Sequence, residues 1–141
     1  MSDNKTSLLE LYRRMVTVRQ FEFMAGKHFA AGEIPGFIHL SIGQEASSVG
    51  VCSCLRTDDY VVTTHRGHGH MIAKGADLKR MTAELFGKRD GYCKGKGGSM
   101  HIADFDIGML GANGIVAGGI SIITGAGLAQ QMDGKGGVAV C

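Results

Sequence analysis

Glycine sets the first limit on this chain. It takes 23 of 141 positions against a single proline, and it crowds into residues 87–98, 108–119 and 125–137. Average usage would give about half as many. Glycine lets a backbone turn sharply or approach a ligand closely. A flexible linker is also glycine-rich, but these stretches carry Met, Ile, Val and Leu, which linkers seldom do. Hydrophobic residues make up 44% of the chain and charged residues 20%, so a packed core is expected and disorder is not.

Charge excludes several classes. The net charge is +2, too mild for nucleic acid or an anionic membrane, which need a concentrated basic face. The main basic cluster, Lys88 to Lys96, is interleaved with glycine and carries Asp90. No apolar run approaches the ~18 residues of a membrane span, and the start does not resemble a signal peptide. A cytoplasmic, reducing location is therefore expected. The four cysteines, Cys52, Cys54, Cys93 and Cys141, form no C-x-x-C pair, so neither a disulfide framework nor a zinc ribbon is indicated.

Local patterns predict the elements. Ser7 and Glu10 have capping-box spacing, and Leu8, Leu11, Met15, Val18, Phe21 and Ala25 form one helical stripe that Gly26 or Gly32 should end. A second helix of small residues is expected over Gln44 to Leu55, able to pack closely on another backbone. Tyr60 to Thr64 reads as a short β-branched strand. Asp77 can cap a helix carrying Leu78, Met81 and Leu85, ended by Gly87. Residues 88–114 read as a long structured loop, a length uncommon unless functional. A further helix is expected over Ile120 to Gln131, with Ile120, Ile123, Leu128 and Gln131 in phase, then a buried strand from Val138. The order predicts an α/β fold, a parallel sheet with flanking helices. The final strand, cut at Cys141, reads as part of a larger sheet.

Four segments could carry chemistry. His65-Arg66-Gly67-His68-Gly69-His70 follows a strand end, where open α/β sheets bind ligands. His65, His68 and His70 could ligate zinc in a metallohydrolase, although no Asp or Glu lies within the motif. Alternatively Arg66 could fork a phosphate, or the segment could be an exposed polar loop. Lys94 to His101 suggests a phosphate loop but lacks the G-x-x-x-x-G-K-[ST] spacing; its backbone N–H groups could still lie beside a diphosphate. Asn113 or Gly114 could hold a positive φ ahead of a helix, presenting an apolar residue to a ring-shaped ligand. His39, among apolar residues, is more simply read as a structural histidine.

Taken together, Pro35-Gly36-Phe37-Ile38-His39-Leu40, Gly43-Gln44-Glu45-Ala46, His65 to Gly69, Lys94 to His101 and Gly111 to Val116 resemble, in this order, the alpha subunits of thiamine-diphosphate-dependent 2-oxo acid and acetoin dehydrogenases. The resemblance covers nearly all of the chain after residue 7. It implies the thiamine-diphosphate-binding fold, with residues 1–141 as the amino-terminal part of a single domain. It implies that Arg66 holds the cofactor diphosphate and that His65 contacts the cofactor where the pyruvate branch has tyrosine. Gly114 and Val116 would meet the aminopyrimidine ring. His39 would line the substrate channel, with His101 facing the same channel.

His65, the paired His68 and His70, and Met109-Leu110-Gly111-Ala112-Asn113 lean toward the acetoin branch. The family's magnesium ligands, a Gly-Asp-Gly and a later Asn, are expected beyond Cys141; Asp133-Gly134 precedes the last strand instead of following it. No metal ligand is therefore assigned within the chain. The implied activity is cleavage of acetoin, or of a 2-oxo acid such as pyruvate, with the acyl unit passed to a lipoyl group. The implied partners are a beta subunit, in a heterotetramer, which supplies the activating glutamate, and a dihydrolipoyl acyltransferase core. A non-catalytic product of a truncated gene is a further alternative.

Overall fold

A computed structural model describes residues 7–141. The first helix, α1, spans Leu8–Ala30, and Ser7 Oγ accepts the Glu10 N–H at 3.2 Å, satisfying one orphan donor of the first turn. The apolar stripe is real from Leu11 onward. Leu11 and Met15 pack on the fully buried Val18, with Val49 and Cys52 behind, whereas Leu8 is exposed. Gly26 lies inside the helix, which ends before Gly32.

α2 spans Glu45–Cys52, one residue shorter at its start and three at its end than expected, and α3 spans His68–Ala73. The small residues of α2 act as expected. A Cβ on Gly69 would stand 2.8 Å from Ser48 Oγ, so α3 approaches α2 more closely than a side chain would allow. α3 itself is a correction: the histidine segment leaves the strand as a tight turn and then becomes helix. α4 spans Leu78–Leu85, with Asp77 Oδ1 accepting from the N–H groups of Lys79 and Arg80, as the sequence suggested.

The long loop is also corrected. It contains a 3-10 turn at Phe105–Ile107 and a strand, β2, at Met109–Asn113. β1, Tyr60–Thr64, lies between β2 and β3, Ala139–Val140, and pairs in parallel with both. The β1–β2 register steps from Val61↔Met109 to Val62↔Gly111, so Leu110 is extra, and Thr64 ends opposite Asn113.

Helices cover both faces of this sheet. Val61 joins Met71, Met81, Leu85, Ile102 and Met109 in the main core. Burying each such side chain contributes about 1.5–3 kcal/mol. The next residue, Val62, points to the other face. There α5, Gly118–Asp133, lies against it through Gly119, where a Cβ would come within 2.6 Å of Val62. The expected apolar phase of α5 does not face the sheet: Ile120 and Leu128 are exposed, while Gly119 and Gln130 are buried. Contact through glycine brings the helix backbone close and leaves its larger side chains outside.

α1 is tied to α2 by a buried carboxylate. Arg19 grips Glu45 through Nε to Oε1 and through Nη2 to Oε2 at 2.9 Å, and the Gly43 N–H donates to both oxygens at 3.0 and 3.1 Å. The Arg19 guanidinium holds the Glu45 pKa down to about 2, below its ordinary 4.5. A depressed carboxylate stabilises the fold above its unfolded pKa. That stabilisation is lost as pH falls from about 4.5 through about 2. Because Arg19 is 41% exposed, solvent screening limits the expected contribution to about 1–2 kcal/mol. Glu45→Gln should lose that amount at pH 7 in urea denaturation, and the gap to wild type should close as the pH is taken down to ~2. A gap that stays constant with pH would contradict this account.

Candidate functional site

Two parallel strands end side by side, and the residues after them form a common edge. β1 continues into His65 and Arg66, and β2 continues into Gly114, Ile115 and Val116. Parallel α/β sheets present this carboxyl edge to ligands.

Arg66 is half-buried, and its Nη1 donates to the carbonyl of Leu40, two residues before Ile42 on the segment leading to α2. No carboxylate among the described residues pairs with it, so the remaining guanidinium donors stay available to an anion. His65 packs edge-on against His39, with ring centroids 5.0 Å apart. His39 Nδ1 is buried and has no hydrogen-bond partner among the described residues. Buried polar atoms are normally paired, which sets this nitrogen apart from the other buried side-chain groups described.

On the β2 side, Asn113 Oδ1 accepts the Ile115 N–H at 2.8 Å and turns the chain outward. Ile115 and Val116 are 72% and 71% exposed, large apolar side chains held out in front of the sheet. The positive φ expected at Asn113 or Gly114 occurs instead at Ala117, φ 68°, the N-cap of α5. A non-glycine residue there is strained, and such strain clusters at functional turns. Gly114 faces the chain after the glycine loop: a Cβ on it would lie 3.8 Å from Met100 Sδ and 3.9 Å from His101 Cε1. His101 is exposed. The structure thus gathers His39, His65 and Arg66 around the β1 end and Gly114, Val116 and His101 around the β2 end, which lie next to each other in register.

The three histidines of the strand-end segment do not converge. His68 is fully buried; its Nδ1 lies 3.1 Å from both Glu22 oxygens and its Nε2 lies 2.9 Å from Ser99 Oγ. His70 Nδ1 meets Thr63 Oγ1 at 3.2 Å, and burial pushes the His70 pKa down. Both ring nitrogens of His68 are therefore engaged, and His65 packs edge-on against His39 instead, so the zinc site read from His65, His68 and His70 is overturned. Among the described residues no three His, Cys, Asp or Glu side chains cluster as a metal would require.

The glycine loop is corrected as well. Its backbone N–H groups do form an anion-binding concavity, but the chain fills it. Glu84 Oε2 accepts from Cys93 and Gly95 at 2.8 Å each, and Oε1 accepts from Gly97 at 2.7 Å and Gly98 at 3.0 Å. Those donors are not open to a diphosphate. Sequence reasoning missed Glu84, Glu22 and Ser99. A glutamate in the last turn of a short helix reads as surface, and with Asp90 also at hand no spacing singled out Glu84 as the partner of the loop amides.

An α/β domain with a ligand-facing carboxyl edge is the class this geometry defines. Comparison with known sequences gives the family: the chain belongs to the dehydrogenase E1 component family, whose sequence model matches residues 13–141. The chain is 52% identical over 141 residues, 100% of its length and 42% of the relative's, to the alpha subunit of acetoin:2,6-dichlorophenolindophenol oxidoreductase of Bacillus subtilis (strain 168). It is 51% identical over 137 residues to the subunit of the same name in Cupriavidus necator, covering 97% of this chain and 41% of that one. It is 42% identical over 137 residues to the pyruvate dehydrogenase E1 component subunit alpha of Rhizobium meliloti, covering 97% of this chain and 39% of that one. The chain therefore spans about two fifths of the length of these curated relatives.

Proposed function

We propose that residues 1–141 are the amino-terminal part of a single thiamine-diphosphate-binding domain, in the alpha subunit of a dehydrogenase that cleaves acetoin. A 2-oxo acid such as pyruvate is the next choice. The carrying observation is that Arg66, without a carboxylate partner among the described residues, and the exposed Val116 follow the ends of two strands that lie side by side. The likeness to the acetoin-named alpha subunits favours acetoin over pyruvate.

The donor set fits the coenzyme. A guanidinium with no carboxylate partner among the described residues suits a diphosphate, an exposed apolar residue near a glycine suits a flat ring, and the buried His39 Nδ1, unpartnered among the described residues, suits a polar substrate atom. Arg66 would hold the diphosphate through charge-assisted hydrogen bonds. Gly114 would let the pyrimidine ring approach the backbone, and Val116 would press on that ring. His65 would contact the coenzyme while keeping His39 in place through their edge-to-face rings. His39 would offer its free nitrogen to the substrate oxygen, and His101 would stand at the solvent mouth. When bound, thiamine diphosphate supplies a carbanion nucleophile and an electron sink for breaking the bond beside a carbonyl. Magnesium is assigned to residues beyond Cys141, and the activating glutamate to a beta subunit. The acyl unit goes to a lipoyl group on an acyltransferase core. The four cysteines are free and no helix among the described residues is long and apolar enough to cross a membrane; the cytoplasm is the proposed compartment.

Calorimetry on the complete enzyme with thiamine diphosphate and magnesium tests the reading. Arg66→Ala should weaken binding by about 2 kcal/mol, roughly 30-fold, the worth of hydrogen bonds to a charged group. A wild-type enzyme that folds normally and ignores the coenzyme would refute the proposal. Steady-state assays decide the substrate: turnover of pyruvate with none of acetoin overturns the first choice.

A further inference from the structure

The glycine-rich segment before Ser99 is a backbone concavity that has captured an anion from its own chain. Four N–H groups, those of Cys93, Gly95, Gly97 and Gly98, converge on one carboxylate. Glu84 is fully buried on α4, and those four N–H groups are its hydrogen-bond donors among the described residues. The intervening amides of Lys94 and Lys96 bond instead to the carbonyls of Gly91 and Cys93, each at 3.1 Å. Every amide from 93 to 98 is thus satisfied, in a segment with no regular secondary structure.

What this loop delivers is the next three residues. Ser99 Oγ accepts from the His39 N–H at 3.5 Å and meets His68 Nε2 at 2.9 Å. Met100 and His101 come up against Gly114. We infer that Glu84 is a positioning residue: its carboxylate is the internal anion that shapes residues 93–98 and thereby sets Ser99 against His39 and His101 beside Gly114. The role assigned to His39 and His101 in catalysis rests on the coenzyme reading above; the clamp itself does not.

The test is Glu84→Gln in the complete enzyme. An amide offers one oxygen in place of two and brings an NH2 toward donors, so the four N–H groups lose their common acceptor. Amide hydrogen exchange should accelerate at least about tenfold at Cys93, Gly95, Gly97 and Gly98, with β1 amides unchanged. Turnover per folded enzyme should fall at least about tenfold, while the coenzyme dissociation constant stays within about threefold, because Arg66 and Val116 belong to the strand ends. Retained protection of those amides would overturn the clamp. So would lost protection with kcat within about twofold of wild type, since that is the mark of a purely structural role. If Glu84→Gln does not fold, Glu84→Asp gives the same readout, because a carboxylate one methylene shorter keeps its charge but cannot reach all four N–H groups at once. A wild-type enzyme without coenzyme-dependent turnover sinks the coenzyme reading, and the exchange pattern still upholds or overturns the clamp.

Discussion

His68→Leu is expected to destabilise the protein by about 3–5 kcal/mol, the cost of leaving a buried charge-bearing partner behind. His68 and Glu22 are both 0% exposed. Ser41 Oγ donates to Glu22 at 2.6 Å, and His68 Nδ1 supplies the other contact, at 3.1 Å to each oxygen. With Nδ1–H donating to the carboxylate, Nε2 accepts the Ser99 hydroxyl, and the network runs unbroken from Ser41 through Glu22, His68 and Ser99 to the backbone N–H of His39. Leucine fills the volume but strips Glu22 to one partner and frees Ser99. Urea denaturation at pH 7 measures the loss, and the double variant Glu22→Leu, His68→Leu should recover a good part of it, since removing both partners is far cheaper than removing one. A single-variant cost below about 1 kcal/mol would show that the network contributes little.

Gly108→Ala should be comparably severe, at about 3 kcal/mol or more. Gly108 has φ 75°, where an L side chain costs roughly 1–2 kcal/mol. Its Cβ would also stand 2.2 Å from the Asp59 carbonyl and 2.8 Å from that of Thr57. Relieving such overlap costs a further 1–3 kcal/mol or so. Neither neighbour can yield cheaply. The Gly108 carbonyl accepts the Val61 N–H at 2.8 Å, and Asp59 holds the chain before β3 through the Val138 N–H at 2.9 Å. Pushing at this point strains all three strands. Gly125→Ala is the control: it lies within α5 with open space around its Cβ, so it should be neutral or slightly stabilising. Equal thermal shifts for the two variants would contradict the argument.

How much of this could be read from the sequence depended on whether a pattern had one physical meaning. α1, α4 and β1 had it: a capped helical stripe, an aspartate cap and a β-branched run each point one way. β2 did not, because Gly111 and the extra Leu110 break the alternation that marks a strand. α3 was hidden because His68-Gly69-His70 carries no apolar periodicity, and its helix is set by packing against α2. The proposed site residues come from a resemblance; residue spacing alone left metal, anion and plain loop open at His65 to His70. What no spacing rule conveyed was where the polar groups of one element would be spent on another. The imidazole of His68 goes to Glu22 and the loop amides go to Glu84.

His65 stands one residue beyond the last ladder position of the central strand, and its ring meets His39 but no hydrogen-bonding group of the core. The scaffold therefore tolerates a different ring at that point without refolding, since the hydrogen bonds of β1 are complete at Thr64. Exchanging that ring would alter what meets His39 at the strand end while the pairing of β1 with its neighbours stays as it is. The strand end thus separates backbone that carries the sheet from a side chain that shapes only its rim.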